Sequence, residues 1–93
     1  MTTFNHLKFK PRRGDGVQAR VFFANGYGAS VVRGTGTYGA PSLYELAILV
    51  GTRDDNEFAR NIHVGGEGFP DGIAGWLDED RVTKLLKDIQ SLY

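Results

Sequence analysis

The dipeptide Asn25-Gly26, set between Val17–Ala24 and Tyr27–Val32, constrains the fold more than any other feature of the chain. Both flanks are rich in Val, Phe and Ala, and an Asn-Gly pair between such runs is the strongest short-range sign of a β-hairpin. A two-residue type I′ turn needs positive φ at both central positions, which asparagine tolerates and glycine accepts freely. That turn sets Ala24 opposite Tyr27, Phe22 opposite Ala29, Arg20 opposite Val31 and Gln18 opposite Arg33. Side chains alternate across a sheet, so Val17, Ala19, Val21, Phe23, Ser30 and Val32 are expected on one face. Gln18, Arg20, Phe22, Tyr27, Val31 and Arg33 are expected on the other. The first set has the composition of a core. The second, two arginines among aromatic and aliphatic residues, has that of a surface that binds something.

The 93 residues suit one α+β domain spanning 1–93, long enough to bury a modest core without staples. Eleven basic residues balance eleven acidic ones, so the field that would gather nucleic acid or an anionic membrane is missing and general nucleic-acid binding is not expected. Lys8, Lys10, Arg12 and Arg13 form a local basic cluster, which reads first as a solvated face. With no cysteine, disulfides and thiolate zinc sites are excluded, and a reducing cytoplasm is the natural home. Neither a signal-peptide core nor a membrane-length apolar run occurs in the sequence, so a cytoplasmic protein without membrane attachment is expected.

Along the rest of the chain, Phe4 to Lys10 alternates imperfectly and reads as a first, edge strand ended by Pro11. Leu43 to Gly51 is almost continuously apolar and bounded by Pro41 and Gly51, which favours a buried strand over a helix. Its residues Tyr44, Leu46, Ile48 and Val50 are expected in the core, leaving Glu45 on the opposite face, where it can offset Arg20 or Arg33. Glu57 to Val64 reads as a strand that completes the meander, Gly65 to Gly72 as a loop, and Ile73 to Leu77 as a short turn with Trp76 plugging the core. Asp78 is a good N-cap for a closing helix. Its apolar residues Val82, Leu85, Leu86, Ile89 and Leu92 share one face, expected to pack on Val17, Val21 and Phe23. The expected architecture is a four-stranded, mainly antiparallel sheet with this helix on one face.

The chemical inventory is thin. His6 and His63 stand apart with no nearby serine or paired carboxylate motif, and neither H-x3-5-H nor HExxH spacing occurs. The Asp54-Asp55-Asn56 turn lacks the calcium-loop spacing. No catalytic residue, metal site or cofactor is therefore assigned, and a non-enzymatic protein is expected. Gly34-Thr35-Gly36-Thr37-Tyr38-Gly39 matches GxGxxG letter for letter, but the dinucleotide fingerprint needs a helix after its glycine turn, and here a strand follows. A small-ligand or nucleotide site using Gly34, Gly36, Thr37 and Gly39 stays open as an alternative, as a phosphate-cradling nest without a helix. The leading expectation is partner binding through Arg20, Phe22, Tyr27, Val31, Arg33 and Glu45. The occupant of that face could be a different protein or, in a homodimer, a second copy, unless the N-terminal segment or the Gly34–Pro41 loop folds over it.

The segments FFANGYGASVVRG, LYELAIL and GWLDEDRVTKLL resemble a group of small, uncharacterised proteins of tailed bacteriophages. The resemblance runs from about Phe4 to the C-terminus, and the NGYGASVV turn and the GWL-acidic junction carry it most specifically. It implies a phage origin, expression in the cytoplasm of an infected bacterium, and a role in occupying a host protein involved in defence or takeover. No catalytic residues come with it.

Overall fold

The computed structural model describes residues 1–39 and 42–92 and confirms an α+β architecture, an antiparallel sheet with one C-terminal helix across it. Six strands make the sheet where the sequence pattern suggests four. Strands β1 (Lys10–Pro11), β2 (Val17–Phe22), β3 (Tyr27–Arg33), β4 (Tyr44–Gly51) and β5 (Asn56–Phe58) follow one another across it. A separate hairpin of β6 (Ile62–Val64) and β7 (Glu67–Phe69) interrupts the edge, and β8 (Ile73–Leu77) then returns to β4. β5 pairs with Leu49–Gly51 and β8 with Tyr44–Ala47, so the two share one side of β4.

The central hairpin forms, but its turn is one residue longer than Asn-Gly suggests. Phe23 N–H donates to the Tyr27 carbonyl at 2.8 Å, leaving Ala24, Asn25 and Gly26 as a three-residue loop. Gly26 alone takes the left-handed conformation, at φ 87°. The pairing becomes Phe22 with Gly28, Arg20 with Ser30 and Ala19 with Val31, one step from the type I′ register. A one-residue slip moves a whole strand's side chains to the other face. Tyr27, Ala29, Val31 and Arg33 therefore join Ala19 and Val21, while Ser30 and Val32 leave them.

The cause lies across the molecule. Helix α1 (Glu79–Gln90) ends beside this turn, and Asn25 Nδ2 donates to the carbonyls of Ile89 at 3.0 Å and Leu92 at 2.7 Å. Its Oδ1 accepts from Tyr27 N–H at 3.1 Å. One side chain thus ties the carbonyls at the helix end to the turn and fixes the start of β3.

Asp78 caps α1 as expected, its side chain accepting from Arg81 N–H at 2.8 Å, with Glu79 and Asp80 at the positive end of the helix dipole. Val82, Leu85, Leu86 and Ile89 are buried, but against Ala29, Val31, Leu46 and Ile48 of β3 and β4, with Val64, Phe69 and Leu77. Val21 and Phe23, expected beneath the helix, lie at the margin of that core.

Three further expectations are corrected. Of Phe4 to Lys10 only Lys10 lies in an edge strand, β1: Phe4–His6 forms a 3-10 turn, and Phe4 and Phe9 pack their rings 5.1 and 5.7 Å from that of Tyr44. Apolar packing pulls this segment off the sheet edge and over the helix, where Phe4 N–H donates to Thr83. Glu57 to Val64 breaks in two at Asn61, which has φ 54°, and the expected loop after it contains β7. Trp76 does not plug the core but is 67% exposed, because β8 bulges between its pairings with Tyr44 and Leu46. Among the described residues no helix is long and apolar enough to cross a membrane.

Candidate functional site

Alternation from the observed register assembles the sheet face opposite α1. Phe22, Gly28, Leu49 and Phe58 stand in one row across four strands, and Arg20, Ser30, Ala47 and Ile73 in the next. Gln18, Val32 and Glu45 make a third. Small residues occupy the middle of the face, and larger neighbours seal it. A Cβ at Gly28 would lie 2.7 Å from Cδ1 of Phe22, so only glycine lets that ring rest on the backbone. The guanidinium groups of Arg20 and of Arg53, from the β4–β5 turn, each sit 5.3 Å from the Phe22 ring centre. Gln18 Nε2 donates to Ser30 Oγ at 2.8 Å.

Large apolar groups rim this floor. Phe58 is 43% exposed on β5. Trp76 sits in the bulge where Gly75 and Trp76 together oppose Glu45. Tyr38, 60% exposed, packs beside Gly75, and its carbonyl accepts from Trp76 N–H at 3.2 Å. Glu45 Oε1 accepts from Tyr38 N–H at 2.8 Å, so its carboxylate holds this loop and makes no ion pair with Arg20 or Arg33.

Of the six residues expected on the binding face, the structure brings three together, Arg20, Phe22 and Glu45. Tyr27, Val31 and Arg33 lie on the helix side instead, carried there by the register. Val31 is fully buried, and Arg33 stacks 5.1 Å from the Tyr44 ring centre and donates to its hydroxyl at 3.1 Å. Phe58, Trp76, Tyr38 and Arg53 take their places. Phe58 was signalled by its apolar character in a strand, whereas Trp76 and Tyr38 depend on a bulge and a loop with no local signature.

The Gly34–Gly39 loop leads into β4 and not into a helix, as the GxGxxG reading requires for its rejection as a dinucleotide fingerprint. The backbone N–H groups of Thr35, Thr37 and Tyr38 are engaged by the chain's own acceptors. Thr35 N–H and hydroxyl donate to the two carboxylate oxygens of Asp15 at 3.1 and 3.0 Å, and Thr37 N–H to the Gly34 carbonyl at 3.1 Å. Gly36 and Thr37 border a depression lined also by Arg12 and Arg13 and by the carboxylates of Asp15 and Glu45, so its charge is balanced.

The Thr35 hydrogen bonds, backbone first, hold the Asp15 carboxyl below its ordinary range. A carboxyl lowered in the folded state stabilises the fold above its unfolded pKa, and that contribution fades as pH falls through the lowered value. The Thr35 amide signal is therefore expected to titrate in acid, with a midpoint below that of a free aspartate, and to lose this step in Asp15→Asn. A midpoint at or above the free value contradicts the contact.

His6 Nδ1 accepts from Thr3 N–H at 2.9 Å, part of the cap of the N-terminal turn, and His63 is exposed on β6. Among the described residues no group of three potential metal ligands occurs. Comparison with protein-family models, with curated proteins and with solved structures finds no match to the chain.

Proposed function

We propose that the chain is a non-enzymatic binding protein that occupies a bacterial host protein through the sheet face opposite α1, modulating or inhibiting it. The observation that carries this reading is the row Phe22, Gly28, Leu49 and Phe58, bordered by exposed Trp76 and Tyr38 and flanked by Arg20 and Arg53. Phe58, Trp76 and Tyr38 are exposed around this one face, and aromatic residues with arginine are the groups that dominate interface energetics. The phage resemblance supplies the host cytoplasm as the setting.

Phe58→Asp tests it. The side chain is partly exposed at a sheet edge, so the variant is expected to fold like the wild type while losing at least about tenfold in affinity for the host protein captured by the wild type. Equal capture by both proteins contradicts the reading. Light scattering separates the competing occupant: a dimer that Phe58→Asp turns into a folded monomer assigns the face to a second copy.

A further inference from the structure

The edge of the sheet at β2 is unfinished. Phe23 N–H bonds to the Tyr27 carbonyl, and bonding alternates along an antiparallel pair, so Val21, Ala19 and Val17 turn their backbone groups toward β3. Gln18, Arg20 and Phe22 turn theirs outward. Lys10 pairs with Gln18, and Arg12 N–H donates to the Gly16 carbonyl at 2.9 Å. Beyond Lys10 the chain leaves the sheet for its packing on Tyr44, and among the described residues no backbone group meets the N–H and C=O of Arg20 and Phe22. The edges at β1 and β8 are protected. Pro11 and Lys10 blunt β1, and the Gly75-Trp76 bulge distorts β8, with Trp76 N–H already bonded to Tyr38.

A groove of about 540 Å³ runs along the open stretch, with Leu7 and Val21 among its apolar walls and Lys8, Lys10, Arg20 and Arg53 around them. No carboxylate lines it, and the only ion pair among the described residues is Lys84–Asp88, far away on the helix. In a chain of zero net charge, four unpaired cations have collected beside four unpaired backbone groups.

We propose that this edge receives an acidic, extended segment of the partner protein as an added strand. Such a segment supplies both donors and acceptors to Arg20 and Phe22, and its carboxylates meet the four cations. A second copy would bring four more cations into the same groove. A nucleic acid would satisfy the cations, but its phosphates are acceptors and would leave the two edge carbonyls unpaired. The inference rests on the reading of the chain as a protein-binding module and assigns the chemistry of what it binds.

A displayed library of random twelve-residue peptides, selected on the wild-type protein, is the first probe. Acidic sequences without proline are expected to be enriched, and the synthetic form of the strongest is expected to slow amide exchange at Arg20 and Phe22. Lys8→Glu with Lys10→Glu should weaken that peptide by at least about tenfold, while Arg81→Glu with Lys87→Glu, an equal change of charge on the helix, should leave it within about twofold. Enrichment of no acidic sequence, protection elsewhere than β2, equal loss in both charge variants, or displacement of the peptide by a twelve-nucleotide oligothymidine overturns the proposal. None of these measurements involves Phe58 or Trp76, so an idle open face and an idle edge give different results.

Discussion

Val31→Asp is expected to abolish folding, whereas Arg20→Asp leaves a folded protein. Val31 is completely buried between β2 and β4 and packs in the cluster closed by Leu46, Leu86 and Ile89. A carboxylate there has no cation or donor to compensate its lost hydration, so it must either remain charged at high cost or take up a proton. Either way the penalty is several kcal/mol, set against a total stability of about 5–15 kcal/mol for a domain of ordinary stability. Arg20 is exposed, and its replacement removes one cation–π contact, worth about 0.5–1 kcal/mol at such a site. Circular dichroism and urea titration of the two variants distinguish the observed hairpin from the type I′ register, in which these two residues would face each other on the same solvent side.

Asn25→Ala should destabilise the domain by about 2 kcal/mol, more than a turn substitution alone, because it leaves the Leu92 carbonyl and the Tyr27 N–H without their side-chain partner and removes one of the bonds to the Ile89 carbonyl. Asn25→Asp is the sharper variant. Aspartate suits a type I′ turn nearly as well as asparagine, so a role confined to the turn forecasts little change. In the structure the aspartate keeps the acceptor for Tyr27 but points an anion at the carbonyl end of α1, where the helix dipole opposes it. Asn25→Asp is therefore expected to be at least as damaging as Asn25→Ala. A urea midpoint close to that of the wild type contradicts the helix contact.

This long-range contact also explains what could be read from the sequence. Elements whose signals are local came through. Asp78 opens α1 because its cap and the acidic first turn lie within four residues of one another. β4 follows from an apolar run between loop residues. The hairpin was legible as a hairpin, but the choice between a two- and a three-residue turn depends on Asn25 reaching residues 89 and 92. That choice decides parity for the whole of β3. Arg20, Phe22 and Glu45 stayed on the open face because β2 and β4 kept their orientation, while Tyr27, Val31 and Arg33 crossed over together.

At the far edge, the break at Asn61 and the bulge at Gly75-Trp76 each reset the alternation, and both are set by packing and pairing with distant strands. Trp76 is the consequence with functional weight. As a lone tryptophan near a core helix it invites a buried role, but a single extra residue opposite Glu45 turns it outward to the rim of the open face.

The composition of that face rests on the pairing of β2 with β3, which nuclear Overhauser contacts read directly. Non-hydrogen-bonded pairs of an antiparallel ladder bring their Cα atoms to about 4.5 Å, close enough for strong contacts between α-protons. The structure requires such contacts between Arg20 and Ser30 and between Gln18 and Val32. Contacts pairing Arg20 with Val31, or Val21 with Ser30, would return Tyr27 and Val31 to the open face and contradict the binding surface described above.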